Sequence, residues 1–396
     1  MTSWETVTIG QLGRVVTGAT PRTGDDTAWG DQVDFITPTE MSYSDRDPSG
    51  CRRLSGEGLA TMQRKLVPAK SVLFACIGFS TGKVARISRP AVTNQQVNTL
   101  VPDPAVVDSG FAYYLLRSRA ANIRHIASGS TTPIVNKSTF EAFSVSVPNL
   151  LEQAAIAGVL GTLDDKIAVS KRIASTALRI ADVNFTRASR GLAFGPATFG
   201  SVATVVGGGT PSTKIGEYWG GKLAWATPTD VTALSSPYLF QTGRMITAEG
   251  LENCASQLYP EQSILMTSRA TIGAFALPQV PVAVNQGFIV VLPRTEKLRW
   301  WLLHEMRSRV DEMVSLANGS TFLELSRKNF KAMSIRLPGD EFIAEFARTV
   351  SPLHERAAQA TAESRALAAL RDTLLPQLMS GKLRVRDAER IVEDAV

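Results

Sequence analysis

The chain contains the stretch Gly18-Ala19-Thr20-Pro21-Arg22-Thr23 and repeats it, 190 residues later, as Gly208-Gly209-Thr210-Pro211-Ser212-Thr213. The same offset relates Trp29-Gly30 to Trp219-Gly220 without a gap. Self-similarity over such a distance indicates duplicated structural units, and loops of unequal length account for small drifts further along. We therefore predict two similar globular halves.

Each half has the pattern of a mixed fold. Short β-rich runs such as residues 71–77 alternate with turn-forming clusters such as residues 45–50. A helix that closes each half carries paired aromatic residues, Tyr113-Tyr114 and Trp300-Trp301, which we interpret as core anchors rather than base-stacking platforms. The pattern predicts an α/β (α+β) fold class.

A long segment with helical spacing of apolar residues follows each half. Alanine and leucine recur there at alternating three and four steps, which is typical of a coiled coil. A helix of about 35 to 40 residues would be ~55 Å long at 1.5 Å per residue. We expect two long antiparallel coiled-coil helices that act as a spacer in a pseudo-twofold internal repeat.

The repeat and the helical segments together predict five regions along the chain. They are a first globular region (1–150), a central spacer helix (151–190), a second globular region (191–338), a C-terminal spacer helix (339–381) and a tail (382–396).

The composition is that of an ordinary globular protein with a small positive excess. Forty-two Lys and Arg against 36 Asp and Glu give a net charge of +6, which suits a polyanionic partner without requiring one. Cys51, Cys76 and Cys254 are far apart and odd in number, so we expect reduced thiols. We found neither a leader segment nor an apolar run long enough for a membrane span, and we expect a cytoplasmic location without membrane contact.

The motifs that would indicate an enzyme are missing from the sequence. No Asn or Asp precedes a Pro-Pro-aromatic loop of the kind that grips a flipped adenine, and residues 78–83 are too short for a phosphate-binding loop. His125, His304 and His354 have no ligand partners at metal-binding spacing. We predict a non-catalytic chain with no cofactor and no metal.

Several stretches in this order resemble the DNA-specificity subunits of Type I restriction-modification systems, over nearly the whole chain. The stretches that carry the resemblance are residues 209–213, Tyr218-Trp219-Gly220-Gly221, residues 225–230, residues 147–157 and residues 374–383. Two positions depart from the family pattern. Residues 337–342 replace the usual Glu-Gln-containing helix start, and the first copy lacks the Tyr of Tyr-Trp-Gly-Gly.

The resemblance implies two target recognition domains that read an asymmetric bipartite site on double-stranded DNA. It further implies helices that bind two methyltransferase (modification) subunits, and restriction/translocase subunits in the same phage-defence complex. S-adenosylmethionine, ATP and Mg²⁺ would serve those partners and not this chain. Two alternatives remain: a tandem-repeat protein-interaction scaffold in another defence complex, and an enzyme with an unrecognised site between the repeats.

DNA contacts require polar and basic side chains on loops, because these reach phosphates and base edges. The candidates are Thr20, Arg22, Lys83, Arg86, Ser130, Thr131, Lys137, Thr210, Ser212, Lys214, Arg269, Ser320, Thr321, Arg327 and Lys328.

These candidates fall into two groups with different expected roles. The matched Gly-Ser-Thr loops at 129–131 and 319–321, with the basic residues behind them, are expected to hold phosphates, or else simply to close a loop. Base reading is expected where the copies diverge, as at Lys83 and Arg269, the alternative being a solvated charge. The shared Asn94-Gln95-Gln96 and Asn285-Gln286 motifs are interpreted as buried braces rather than as adenine readers.

Overall fold

A computed structural model describes residues 4–22, 24–48, 51–127, 133–319 and 323–395. The chain divides into two compact units. Unit 1 comprises Met1–Val169 and Ser364–Val396, and unit 2 comprises Ser170–Glu363. Both units combine strands and helices, which confirms the predicted fold class.

Unit 1 begins with a run of short strands and ends its first segment in a long helix. Its strands are β1 (Glu5–Thr8), β2 (Gly13–Thr17), β3 (Trp29–Ile36), β4 (Arg52–Leu54), β5 (Val72–Ala75), β6 (Val84–Arg86), β7 (Ala91–Thr93), β8 (Val97–Pro102) and β9 (Ser144–Val147). Its helices are α1 (Gly56–Met62), α2 (Ser109–His125), α3 (Lys137–Ala142) and the first part of α4 (Leu150–Ala188).

Unit 2 repeats this order with small additions. Its strands are β10 (Ala203–Val206), β11 (Trp219–Ala226), β12 (Tyr238–Leu239), β13 (Arg244–Ile246), β14 (Ile264–Thr267), β15 (Phe275–Pro278), β16 (Val282–Val284) and β17 (Phe288–Pro293). Its helices are α5 (Phe199–Val202), α6 (Pro228–Thr232), α7 (Ala248–Glu252), α8 (Leu298–Arg307), α9 (Val310–Ser315), α10 (Arg327–Ala332) and the first part of α11 (Asp340–Leu378).

The sheets of the two units have the same strand order. Unit 1 has the sheets β2-β8-β5-β6 and β4-β3-β7, and unit 2 has β10-β17-β14-β15-β12 and β13-β11-β16, so that β12 is an added edge strand. In both units the second sheet combines a parallel and an antiparallel pairing, with a bulge after Trp29 and after Trp219. The duplication predicted from the sequence is therefore a duplication of topology.

The paired aromatic residues lie in the cores of the two units. Tyr113, Tyr114 and Trp301 are at most 1% exposed and Trp300 is 8% exposed, which confirms their interpretation as core anchors. In unit 2 the closing helix differs from the expected continuous segment, because the structure has two helices, α8 and α9, with a break between them.

Both long helical segments form 39-residue helices, α4 and α11. Apolar residues from the N-terminal part of α4 and the C-terminal part of α11 share the core of unit 1. The C-terminal part of α4 and the N-terminal part of α11 share the core of unit 2, which is the antiparallel order expected. Across the described residues, none of the helices is both long and apolar enough to cross a membrane.

The segment 382–396, expected to be a tail, contains a helix, α12 (Val385–Ala395). Ala388 and Val392 of this helix are buried in the core of unit 1. Gly381 precedes it with φ 68° and lies beside the indole of Trp4. The end of the chain is thus part of the first unit's core.

A buried polar cluster connects helix α2 of unit 1 to both long helices. The Tyr114 hydroxyl donates to Asp164 of α4 at 2.6 Å, and Arg371 of α11 donates to the same carboxylate at 2.5 Å. Arg117 also reaches Asp372 of α11 at 3.3 Å. Burial, followed by the charge of Asp164, raises the pKa of Tyr114, so the phenol stays protonated and donates.

An equivalent cluster in unit 2 uses histidines. His304 of α8 contacts His354 of α11 with 3.0 Å between the Nε2 atoms, and Arg307 reaches Asp182 of α4 at 3.2 Å. These pairs stand at the 190-residue offset from Tyr114–Asp164 and Arg117–Asp372. The two histidines, isolated in sequence, are therefore neighbours in space.

The hydrogen bonds of this cluster determine its proton positions. His304 Nδ1 lies 2.9 Å from Asp182 and donates to it, so its Nε2 accepts from His354 Nε2. His354 Nδ1 then accepts from the Tyr238 hydroxyl at 3.0 Å. Burial lowers the pKa of both histidines, that of His354 to about 2, and both rings are neutral.

Candidate nucleic-acid interface

Each unit presents the same pair of polar side chains on neighbouring loops. The Thr20 hydroxyl donates to the Gln95 amide oxygen at 2.6 Å, and Thr210 donates to Gln286 at the same distance. All four residues are exposed. The repeated loops therefore meet a second repeated loop and place a carboxamide at the surface of each unit.

Two glycines bring these loops together. A Cβ at Gly18 would lie 2.1 Å from the Thr93 carbonyl oxygen, and one at Gly208 would lie 2.0 Å from that of Val284. No side chain fits at such a separation. The glycine of each repeat is required because the backbone of one loop packs directly on the other.

The Asn residues beside the glutamines have a different role. Asn94 is buried and its side chain accepts from the Gln96 backbone N–H at 3.1 Å, while Asn285 accepts from the Gly287 N–H at 2.8 Å. This confirms the brace interpretation for the two asparagines. Gln95 and Gln286, by contrast, project outward, which the sequence pattern did not reveal.

Three further candidates lie on the repeated loops themselves. Arg22, Ser212 and Lys214 are exposed. The Ser212 carbonyl accepts from the indole N–H of Trp219 at 3.1 Å, which ties the second loop to the start of β11. The side chains of these three residues can therefore point to a ligand from loops whose backbone is held in place.

An arginine stacked on a tryptophan flanks this region in both units, and the sequence analysis missed it. The Arg52 guanidinium lies 3.5 Å from the ring centroid of Trp29, and that of Arg244 lies 3.5 Å from Trp219. A stacked guanidinium keeps its N–H edge available for phosphate. The offset between the two arginines is 192, so a fixed-offset comparison does not align them.

Lys137, Arg327 and Lys328 begin the equivalent helices α3 and α10. Asn136 and Ser326 cap these helices by accepting from Thr139 and Asn329 N–H groups. Lys137 pairs with Glu141 at 3.5 Å.

In unit 2 an open cleft of about 590 Å³ contains these basic side chains. Its lining residues are Glu324, Ser326, Arg327, Lys328 and Lys331. The Arg327 guanidinium also lies beside Gly207, next to the repeated loop, because a Cβ at that glycine would be 3.2 Å from Nη1. The basic helix start and the Thr210 loop are thus close to each other.

The candidates at diverging positions make contacts within the protein. Lys83 donates to the Pro38 carbonyl at 2.9 Å, and Arg86 donates twice to the Ser109 hydroxyl, at 3.0 and 3.3 Å. Arg269 pairs with Glu324 at 2.8 Å while both side chains stay more than 40% exposed. Arg269 is therefore the most accessible of the three.

Four candidates, Ser130, Thr131, Ser320 and Thr321, lie outside the described residues. Within the described ranges, no group of three or more His, Cys, Asp or Glu side chains is arranged to hold a metal ion. Burial raises the pKa of Cys51 and of Cys76 to about 11, so both are thiols at neutral pH.

Comparison with known proteins identifies relatives of both halves. A family model described as the Type I restriction modification DNA specificity domain matches residues 1–177 and 195–357. The MjaIX specificity subunit of Methanocaldococcus jannaschii, a Type I restriction enzyme subunit, is 34% identical over 152 residues, 38% of this chain and 35% of that protein. The HindI specificity subunit of Haemophilus influenzae is 32% identical over 149 residues, 37% of this chain and 32% of that protein.

The matches to these two relatives therefore span about a third of each relative's length. A solved structure extends the likeness to nearly the full chain. The Type I restriction-modification S subunit from M. genitalium covers 95% of this chain and 96% of its own, with a TM-score of 0.63 and 17% identity. At that identity the likeness shows the fold.

Proposed function

This chain belongs to the family of Type I restriction-modification DNA specificity domains, and from that premise we propose that it is a non-catalytic specificity subunit which reads an asymmetric bipartite DNA site. Residues 1–150 and 191–338 would form its two target recognition domains. The helical regions 151–190 and 339–381 would be the spacer, and 382–396 would complete the chain.

The observation that supports this function best is the repetition of an exposed polar surface. Each unit carries a Thr–Gln pair on braced loops and a basic residue at the start of a short helix. Carboxamides pair with adenine edges, and basic residues and helix starts fix phosphates. Two such surfaces suit a ligand that repeats along its length, as duplex DNA does.

The proposed contacts divide by chemistry. Phosphates would be held by Arg22, Lys137, Lys214, Arg327 and Lys328, with Thr20, Thr210, Ser212 and the serines and threonines of residues 130–131 and 320–321. Arg269 would read bases in the second half-site. Lys83 and Arg86 would contact DNA only by leaving their present acceptors, so we propose that they mainly shape the loop that faces it.

The chemistry would reside in partner subunits. Two methyltransferase subunits would use S-adenosylmethionine, and restriction/translocase subunits would use ATP and Mg²⁺. This chain would position them on DNA in the cytoplasm, where the DNA of a phage-defence system lies.

Methylation mapping tests the proposal directly. The chain is co-expressed with the adenine methyltransferase encoded beside it, in a host that lacks DNA methylation. N6-methyladenine is then mapped by single-molecule sequencing. We expect a split asymmetric motif that appears only with this chain present. An unchanged methylation pattern would refute the specificity role and favour an interaction scaffold.

A further inference from the structure

Phe79 of unit 1 is almost wholly exposed. Its side chain is 96% accessible, the highest value among the exposed large hydrophobic residues of the described chain. A phenylalanine left in water forgoes about 1.5 to 3 kcal/mol of burial free energy. A side chain held out of the core at that cost suggests a partner that covers it.

The backbone beneath Phe79 is held in place rather than loose. It lies in a 3₁₀ turn, Gly78–Ser80, between β5 and β6. The Gly78 N–H donates to the Pro133 carbonyl at 3.0 Å, the Gly82 N–H donates to Ala75 at 3.0 Å, and the Tyr43 hydroxyl donates to the Phe79 carbonyl at 3.2 Å. The ring is therefore presented from an ordered turn.

The equivalent turn of unit 2 has the same backbone and a different tip. Gly78 and Ala270 both have positive φ, 71° and 59°, and Gly82 and Gly273 have φ 96° and 86°. The turn in unit 2 is one residue shorter, and Thr271 follows Ala270 where Phe79 follows Gly78. A conserved frame with an altered tip is what two readers of different sequences require.

The surroundings of Phe79 match a nucleic-acid surface. The ring of Tyr43, 57% exposed, lies beside it with the Lys83 ammonium 5.7 Å from the ring centroid. Ile77 pairs with Ile134, which places the turn next to the segment that leads from the 129–131 loop to Lys137. Aromatic and basic side chains close together favour bases and phosphates as their ligand.

We propose that Phe79 is a specificity-determining residue of the first target recognition domain, whose ring packs against a base of the first half-site. This inference rests on the proposed function. The ring would meet either the face of an unstacked base or the methyl group of a thymine, since both are apolar surfaces that an exposed phenyl ring can cover. The second half-site has no counterpart to this contact.

The test measures DNA binding by the complex of this chain with its methyltransferase subunits, on duplexes that carry the mapped bipartite motif. We expect Phe79→Ala to weaken binding by about 5- to 150-fold, the range found for losing one base–aromatic contact. Phe79→Trp should retain most of the affinity. Affinity for a duplex with a scrambled first half-site should stay the same in all variants.

Two controls separate this contact from other effects. Thr271→Ala, at the tip of the equivalent turn, should leave binding unchanged, and thermal unfolding of Phe79→Ala should match that of the parent because the ring is exposed. Duplexes with uracil in place of thymine identify a methyl contact, while 2-aminopurine fluorescence in the half-site identifies an unstacked base.

The possible outcomes are distinct. If the parent complex shows no preference for the motif, the proposed function itself fails. If the parent is selective and Phe79→Ala binds equally well, the inference is wrong and the function stands. A Phe79→Ala variant that binds DNA normally but loses its methyltransferase subunits would reassign the ring to a protein contact, which also overturns the inference.

Discussion

At the scale of single residues, neighbours in sequence have opposite roles in this protein. Asn94 is buried and braces its loop, whereas Gln95 beside it is exposed and accepts from Thr20. The same division holds for Asn285 and Gln286. An exposed carboxamide on a braced loop can form two hydrogen bonds to an adenine without reorganising.

Substitution of these glutamines should affect one half-site each. We expect Gln95→Ala to relax selectivity at a position of the first half-site and Gln286→Ala at a position of the second. The loss should be about 1 to 3 kcal/mol of base discrimination, because one bidentate contact disappears. Binding to duplexes with single base-pair changes measures it. Gln63→Ala, an exposed glutamine away from these loops, should change nothing, and equal losses at both half-sites would contradict the assignment.

At the scale of elements, each recognition unit is attached to the two long helices by a buried polar cluster. Arg371 is 2% exposed, and although burial opposes its charge, hydrogen bonds from Asp372 and Asp164 raise its pKa. In unit 2 neutral histidines replace this ion pair, with His354 stacked on Trp300 at 4.0 Å. The same attachment is thus built from two kinds of polar chemistry.

Breaking the ion pair should destabilise unit 1 strongly. Asp164→Asn leaves the buried Arg371 without its carboxylate, and we expect a loss of about 3 kcal/mol in the free energy of unfolding. Urea denaturation measures this loss. The matched control is Asp165→Asn, which breaks the exposed Arg46–Asp165 pair (2.6 Å) and should cost less than about 1 kcal/mol. Similar losses in both variants would show that the buried pair is not special.

The histidine cluster should make stability depend on pH. The folded-state pKa of His354 is lowered to about 2 from 6.5, so below pH 6.5 the unfolded chain binds a proton that the folded chain does not. Its contribution is complete above pH 6.5 and declines as the pH falls toward 2.

We expect His354 to account for a loss of about 2 kcal/mol in unfolding free energy between pH 7 and pH 5. Denaturant unfolding at both pH values, on the parent and on His354→Phe, measures this difference. The variant should be less stable at pH 7 but change less with pH. His125→Gln, which removes an exposed histidine, should keep the parent's pH dependence; a His354→Phe variant that also keeps it would exclude the cluster as its source.

At the scale of the whole molecule, the repeated basic surfaces stand against a modest net charge of +6. The family model matches in two separate segments, 1–177 and 195–357, which agrees with the repeated topology. Binding to duplex DNA through several phosphates releases counterions, so affinity should fall steeply as salt rises.

Salt titration measures how many phosphates are held. We expect Arg327→Ala with Lys328→Ala to lower the slope of log affinity against log salt by about 2, because each phosphate contact contributes about 0.9. Sequence preference should persist. Arg348→Ala with Arg356→Ala removes two exposed charges from α11 and should leave the slope unchanged. An affinity for the parent that is flat between about 50 and 200 mM salt would contradict phosphate binding altogether.

The sequence by itself determined the duplication, the two 39-residue helices to within a few residues, the buried aromatic pairs and the family. These follow from periodicity and from motifs that recur at a fixed offset, which are local properties of the chain. Only the tertiary structure decided which polar side chains are available to a ligand. Arg86 is engaged by Ser109, and Asp164 by Arg371, 207 residues away. Such contacts depend on which distant segments fold together, because a hydrogen-bonding side chain is satisfied by whatever partner the packing supplies.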